Sequence, residues 1–197
     1  MNNNKLKAKD LITTAIFTVV TIIIFFVGSM TFGMIPVLYP FLIAFVSIPG
    51  GIIWAYLRVR VPKRFAIIIQ SVVTTLVFWF AGIGPFMALG FLVGGVLSEI
   101  ISSIGKYKNN TLNTISYAVQ AFCVHIGAFL VTIVARDYYF DFCTTGGMTT
   151  EWTNTFLNFM SWPVLLSSGV LAIAGAIIGM LLGKALLKKH FAKAGMV

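Results

Sequence analysis

The sequence predicts an all-helical integral membrane protein with six transmembrane helices and both termini in the cytoplasm. Three observations predict this fold class. Apolar residues make up 59% of the 197 residues and charged residues only 10%, whereas an ordinary soluble domain carries about 25% charged residues. Six apolar runs approach or exceed the roughly 20 residues that cross a bilayer as a helix. The basic residues, finally, are confined almost entirely to alternate connections.

The six runs are predicted to form a single membrane domain over residues 1–197. The predicted spans are 11–30, 35–57, 65–80, 86–104, 113–135 and 163–187. Runs such as VVTIIIFFV and VLAIAGAIIGMLL lack the alternation of apolar and polar residues that marks the strands of a membrane barrel. The first run is too long for the apolar region of a signal peptide and has no small-residue cleavage site, so it is predicted to be a span.

The basic residues predict the orientation. Thirteen of the 14 lie before the first span, at the end of the chain, or on the second-to-third and fourth-to-fifth connections. They are Lys5, Lys7, Lys9, Arg58, Arg60, Lys63, Arg64, Lys106, Lys108, Lys184, Lys188, Lys189 and Lys193. Short cytoplasmic loops carry such an excess of Lys and Arg. The net charge of +9 therefore indicates topology and contact with anionic lipid, and no nucleic-acid partner is predicted.

The second span contains three prolines, Pro36, Pro40 and Pro49, followed by Gly50-Gly51. Proline removes a backbone donor and kinks a helix. Within a membrane such a break persists where protein or a water-filled cavity meets the freed carbonyls. The sequence predicts a bent or broken helix, which is either an element that moves or a static kink.

Small residues recur at helix-contact spacing in two later spans, as Gly175, Gly179 and Gly183 and as Gly90 and Gly94. Such stripes let helix backbones approach closely, and packing within the chain is the expected use.

The third outer connection, residues 137–162, is long, acidic and aromatic. A loop of this length often acts as a lid or a binding loop. Its aromatic residues are equally typical of the belt at a membrane surface. A short amphipathic helix is predicted over about 151–161.

Catalytic chemistry is not predicted. The sequence has no GxxxxGK[ST] phosphate loop, so ATP hydrolysis by that route is excluded. The two histidines, His125 and His190, are predicted on different helices at opposite depths, and no nucleophile is marked for a serine hydrolase. We therefore expect no enzyme, no intrinsic cofactor and no protein-held metal. An energised task then requires partner subunits.

His125 is a polar side chain deep within the fifth span. It lies 11 residues inward of Arg136, hence about 16 Å deeper along a helix. Intramembrane polar groups usually face a bundle interior or a cavity. A hydrogen bond to a neighbouring helix and contact with a ligand are both compatible with this position.

Four segments carry a resemblance to a known family. In chain order they are KLKAKDLITTAIFTVV, GKYKNN, ARDYYF and GKALLKKHFAKAG. They resemble the Trep_Strep family of predicted S components of energy-coupling factor (ECF) transporters, over nearly the whole chain. The resemblance implies an ECF S-component-like bundle in the plasma membrane of a bacterium. Such a subunit captures a micronutrient outside the cell, works with a T component and two ABC ATPases, and topples to turn its site inward.

The resemblance also implies where the ligand and the T component bind. The corresponding ligand positions are Met34, Trp79, Met87, His125, Arg136, Tyr138 and Trp162. The T component contacts a small-xxx-small patch on the first helix, for which this chain offers Thr14, Ala15 and Thr18.

Haem is the first ligand hypothesis. Imidazole and thioether groups bind haem iron, arginine suits a propionate, and aromatic rings suit the face of a porphyrin. A vitamin or another small aromatic cofactor is the alternative ligand. A stand-alone channel or a scaffold protein is the alternative class of function.

Overall fold

The computed structural model describes residues 5–193, and helices make up most of this range. No strand occurs among these residues, so the predicted all-α fold is confirmed. The helices are α1 Ala8–Phe32, α2 Leu42–Arg60, α3 Ala66–Phe80, α4 Pro85–Ile104, α5 Asn110–Phe129, α6 Val131–Val134, α7 Arg136–Thr145, α8 Thr150–Phe159 and α9 Trp162–Lys193. A 3₁₀ turn, Tyr39–Phe41, leads into α2.

Five helical segments of the described chain are long and apolar enough to cross a membrane. They are Ala8–Phe32, Tyr39–Arg60, Pro85–Ile104, Asn110–Val134 and Trp162–Lys189. They match five of the six predicted spans. The predicted third span corresponds to α3, which is apolar but only 15 residues long. An α3 of this length extends about 22 Å, less than the roughly 30 Å hydrocarbon core.

The second span begins later than the predicted residue 35. Pro36 lies in a turn and Pro40 lies in the 3₁₀ turn that precedes α2, so only Pro49 lies inside the helix. Proline supplies no backbone N–H and disfavours helical geometry in the residue before it. The two earlier prolines therefore set the start of the helix and do not bend its middle.

One end of the bundle gathers the basic connections and is called the basic end here. It comprises residues 5–10, 58–66, 104–110 and 184–189. Lys63 Nζ lies 2.6 Å from Asp10 Oδ2, which ties α1 to the α2–α3 connection. The Phe65 N–H donates to Glu99 Oε1 at 2.7 Å. The Glu99 carboxylate thus caps the first turn of α3, where the helix dipole favours negative charge.

The opposite end, called the aromatic end, comprises the connections 33–41, 81–84 and 130–161. The predicted long outer loop consists mostly of two short helices. Of these, α8 matches the amphipathic helix predicted near 151–161, whereas α7 was not predicted. The Thr149 side chain accepts a hydrogen bond from the Trp152 N–H and so caps α8.

The bundle core is held by close contacts between small residues. A Cβ atom on Gly179 of α9 would lie 2.7 Å from the Ser47 carbonyl oxygen of α2. A Cβ on Gly90 of α4 would lie 2.7 Å from the Cys123 carbonyl oxygen of α5. Neither position has room for a side chain, and such approaches are typical of glycine stripes in membranes. The predicted use of these stripes for packing within the chain is confirmed.

A candidate substrate-binding groove

The aromatic end carries an open groove of about 1060 Å³, called the aromatic groove here. It lies between the end of α1, the α3–α4 connection and the α7–α8 pair. Its walls include Met30 and Met34 from the first of these, Ile83 from the second, and Tyr138, Phe142 and Met148 from the third. The volume is slightly above the roughly 300–1,000 Å³ typical of small-molecule sites.

A cluster of stacked and edge-on aromatic rings, called the floor here, lies beneath the aromatic groove: Tyr39 and Trp152 line the groove, and the buried Phe129 and Phe156 pack behind them. Tyr39 is at its centre, with its ring centroid 5.4 Å from those of Phe129 and Phe156 and 5.6 Å from that of Trp152. Edge-to-face contacts at these distances fix ring orientation as well as position. The 3₁₀ turn that contains Tyr39 thus supplies a rigid apolar surface on which a flat ligand can lie.

The aromatic groove is nearly uncharged. Among its described lining residues Asp141 is the one charged side chain. Burial raises the pKa of the Tyr139 phenol well above its usual value and raises the pKa of the Cys143 thiol, so both groups stay protonated near neutral pH. The Trp152 Nε1 is buried and has no hydrogen-bond partner among the described residues. The groove therefore offers apolar area together with one unused donor.

A narrow cleft of about 20 Å³ continues inward from the aromatic groove between α4 and α5. Tyr39, Tyr138 and Tyr139 line both the groove and the cleft, whereas Met87 lines the cleft but not the groove. The structure therefore brings three of the seven predicted ligand positions, Met34, Met87 and Tyr138, to one region.

Three other predicted ligand residues lie outside the groove. Trp79 and Trp162 are each more than half exposed and do not line it. Arg136 is exposed, and its Nη2 donates to Asn158 Oδ1 at 2.7 Å. This bond joins the start of α7 to the end of α8, so the guanidinium fixes the shape of the groove wall without lining it.

His125 is fully buried between α5 and α9. Its Nε2 lies 3.0 Å from the Leu165 carbonyl oxygen and 3.3 Å from Ser168 Oγ. Its ring centroid lies 5.1 Å from that of Phe129, which belongs to the aromatic floor. The ring therefore braces α9 behind the floor of the aromatic groove through Nε2, and its Nδ1 is buried without a hydrogen-bond partner among the described residues.

The predicted partner patch on α1 needs a correction. Thr14 and Thr18 are fully buried, and their hydroxyls donate to the carbonyl oxygens of Asp10 and Thr14. Only Ala15 faces outward. Successive positions four residues apart share a helix face, and that face is turned toward α2 and α3 here. The threonines are therefore unavailable to an external partner, whereas Ala15 is available.

Several groove residues were not predicted, above all Tyr39 and Trp152. Tyr39 was assigned to the interior of a span running from residue 35, which hid its place in a turn. The signal in the sequence was the spacing of Pro36 and Pro40 around it. The sequence is compatible with Trp152 in a membrane belt or in a binding loop, whereas in the structure Trp152 lies on α8 and lines the groove.

The comparison with protein families gives one match. The model described as "Hypothetical bacterial integral membrane protein (Trep_Strep)" matches residues 8–193. The chain belongs to this family. Among curated proteins none matches the chain, and among solved structures none does. Membership of the Trep_Strep family and the five long apolar helices together make the chain an integral membrane protein of bacteria.

Proposed function

We propose that this Trep_Strep-family chain is the substrate-binding S component of an ECF-type ABC importer in the plasma membrane. It would capture a micronutrient from outside the cell in the aromatic groove and deliver it inward by toppling. The observation that carries the proposal is this groove of about 1060 Å³ at the end of the bundle opposite the basic connections. The positive-inside rule assigns the basic end to the cytoplasm, so the groove would open outward.

The division of labour in such an importer agrees with the sequence. The chain has no phosphate loop and no constellation for catalysis, so we propose that it is a passive carrier and not an enzyme. A T component and two ABC ATPases would supply the energy. The outer face of α1 around Ala15 is the proposed contact for the T component, because this helix is the least buried of the five long spans.

The chemistry of the aromatic groove favours a large, flat and mainly apolar ligand. Aromatic rings form its floor, and the thioethers of Met30, Met34 and Met148 lie on its walls. Haem remains the first candidate, since methionine sulfur binds haem iron. No basic side chain lines the described groove, so the propionates would point outward to solvent. A vitamin or another small aromatic cofactor is the second candidate.

The test begins with mass spectrometry of small molecules that co-purify with the full-length chain. Titration of the ligand, or of haem read by its Soret band, then gives an affinity for each variant. We expect Tyr138→Ala and Trp152→Ala to weaken binding about tenfold each, as truncation of a buried aromatic contact does. Trp79→Ala is the matched control, because it removes an exposed aromatic outside the groove, and it should change the affinity less than about twofold.

The haem hypothesis has its own spectroscopic outcomes. If a groove thioether binds the iron, Met34→Ala or Met148→Ala shifts the Soret band, while His125→Ala leaves its position unchanged. A shift with His125→Ala alone would restore histidine as the axial ligand. No Soret change with any of these variants and no co-purified porphyrin would remove haem and leave the second candidate. Binding that tolerates both aromatic truncations would remove the groove itself as the site.

A further inference from the structure

A second large groove lies at the basic end, between α5 and α9, with α2 as its floor. Its volume is about 980 Å³, and it is called the lysine groove here because Lys108, Lys184 and Lys188 line it. We propose that the lysine groove binds an anionic phospholipid. The phosphate would lie among the basic side chains, and one acyl chain would lie between α5 and α9. The proposal is independent of the function assigned to the aromatic groove.

The charges of the lysine groove are all of one sign. Four basic residues line it, Arg58, Lys108, Lys184 and Lys188, and none of its described lining residues is acidic. Lys184 and Lys188 are one helical turn apart, so their ammonium groups share a face of α9. Lys108 belongs to the α4–α5 connection on the other wall. Basic pockets between transmembrane helices attract anionic head groups in this way.

Arg58 on α2 adds a buried positive charge to the lysine groove. It is only 3% exposed, and its Nε and Nη1 have no hydrogen-bond partner among the described residues. Its Nη2 donates to the carbonyls of Val61 and Lys63, and its guanidinium lies over the Tyr107 ring at 5.4 Å. Within residues 5–193 no salt bridge joins it to a carboxylate, and the buried Glu99 attracts it without direct contact. A buried charge that is not directly paired is costly, and a phosphate in the groove reduces that cost.

The apolar part of the lysine groove has the depth of one lipid leaflet. Below the lysines its walls are aliphatic and aromatic, with Ile173 and Ile177 on α9 facing Val119 and Phe122 on α5. From Lys184 to Ile173 the helix extends about 16 Å, close to half of the roughly 30 Å hydrocarbon core. A small soluble anion would leave this apolar part of the groove unfilled, whereas the acyl chain of a phospholipid would fill it.

The shape of the lysine groove follows from where α5 and α9 touch. They meet at the His125 bond to Leu165 and at Gly169, where an added Cβ would lie 3.3 Å from the Phe122 ring. Between these contacts and the basic end both helices line the groove. The groove is therefore closed toward the membrane centre and open toward the head-group region.

Native mass spectrometry of the full-length chain with equal amounts of dioleoyl phosphatidylglycerol and dioleoyl phosphatidylcholine tests the proposal. The two probes share acyl chains and differ in net charge. We expect the wild-type protein to retain phosphatidylglycerol at least about fivefold better. The triple variant Lys108→Gln, Lys184→Gln, Lys188→Gln should lose this preference. Lys5→Gln, Lys7→Gln, Lys9→Gln removes the same charge at the same end but outside the groove, and should keep it.

A second pair of variants tests the acyl chain. Ile177→Trp fills the groove between α5 and α9 and should reduce retention of phosphatidylglycerol about fivefold. Ile178→Trp is its matched control, since this neighbouring residue is also exposed but does not line the groove. The melting temperature of each variant shows whether it is folded, and Ile177→Phe, a smaller addition at the same exposed position, serves if the tryptophan variants are not.

Three results would overturn the proposal. The first is an equal affinity of the wild-type protein for both lipids. The second is a loss of preference in the Lys5, Lys7, Lys9 variant as large as in the groove variant, or a preference that Ile177→Trp leaves intact. The third is a dimer that Ile177→Trp dissociates, because the groove would then be an interface between copies of the chain. None of these results bears on ligand binding at the aromatic end.

Discussion

The interface between α2 and α9 and the outer surface of α1 are opposite solutions to packing within a membrane. In the most apolar window of the second span 56% of the residues are buried, against 22% in α1. Glycines at 175, 179 and 183 let α9 lie directly on the α2 backbone. By contrast, α1 presents a stripe of Ile12, Ile16, Val19, Ile23 and Val27, each more than half exposed.

The difference separates a fixed part of the molecule from a part that can exchange partners. Lipid tails are as apolar as aliphatic side chains, so burying them drives helix association weakly in a membrane, whereas close backbone packing drives it strongly. The α2–α9 interface gains from that packing and has no room to slide. The α1 stripe is stabilised only weakly by its contact with lipid, so replacing that lipid with a partner helix costs little free energy.

The largest effect on stability is expected for Gly179→Leu in the α2–α9 interface. A Cβ at this position would lie 2.7 Å from the Ser47 carbonyl oxygen and 3.0 Å from the Gly51 Cα. The contacting atoms belong to the backbone and cannot rotate away. We expect a loss of about 3 kcal/mol from such overpacking, hence a melting temperature in detergent that falls by roughly 6–12 °C.

Ala185→Leu is the matched control for this substitution. It adds side-chain volume to the same helix at an exposed position just beyond Gly183, and it should shift the melting temperature by no more than about 2 °C. A Gly179→Leu protein as stable as this control would contradict the close packing of α9 on α2.

An intermediate effect is expected for His125→Ala between α5 and α9. The substitution removes the hydrogen bond to Leu165 and opens space against Phe129. Interhelical hydrogen bonds in membranes contribute about 0.6 kcal/mol on average, and the lost contacts of the ring add to this. A total loss of about 1–2 kcal/mol should appear as a melting temperature roughly 3–6 °C lower.

His125→Asn serves as the sharper companion variant, because its amide can donate to the Leu165 carbonyl and should recover part of the loss. If His125→Ala melts like the wild-type protein but no longer binds ligand, then His125 acts on the ligand and not as the brace that its contacts indicate.

The sequence was sufficient for the class and for most of the packing. Composition predicted an all-helical membrane protein, and the glycine spacing in the last span predicted close packing that α9 makes on α2. The distribution of lysines and arginines predicted which connections share one side, and Arg58, Lys108 and Lys184 do line one groove at one end of the bundle. These features depend on residue type and period alone, which a single sequence contains.

The composition of the site was less accessible. The sequence predicts that His125 faces the bundle interior or a cavity, because it is a polar residue in an apolar run. Its hydrogen-bond partner cannot be predicted in this way, since Leu165 is 40 residues away in the chain. Thr14 and Thr18 have the spacing of a contact patch, but spacing does not decide which side of α1 faces the bundle. Tyr39 became part of the floor because two prolines delay the start of α2.

The smallest effect on stability is expected for Ala15→Trp on the outer face of α1. Ala15 is exposed beside the buried Thr14 and Thr18, so the larger side chain meets lipid and the free energy of unfolding should change by no more than about 0.5 kcal/mol. The same variant should lose co-purification of the proposed T component and ATPases, because a bulky indole prevents close approach of another helix at a small residue. Val170→Trp, an exposed substitution on α9, is the matched control and should retain the partners.

Intact complexes with Ala15→Trp, or equal losses with both variants, would place the partner contact elsewhere. A fall in stability as large as that of Gly179→Leu would instead remove the distinction between α1 and the α2–α9 interface.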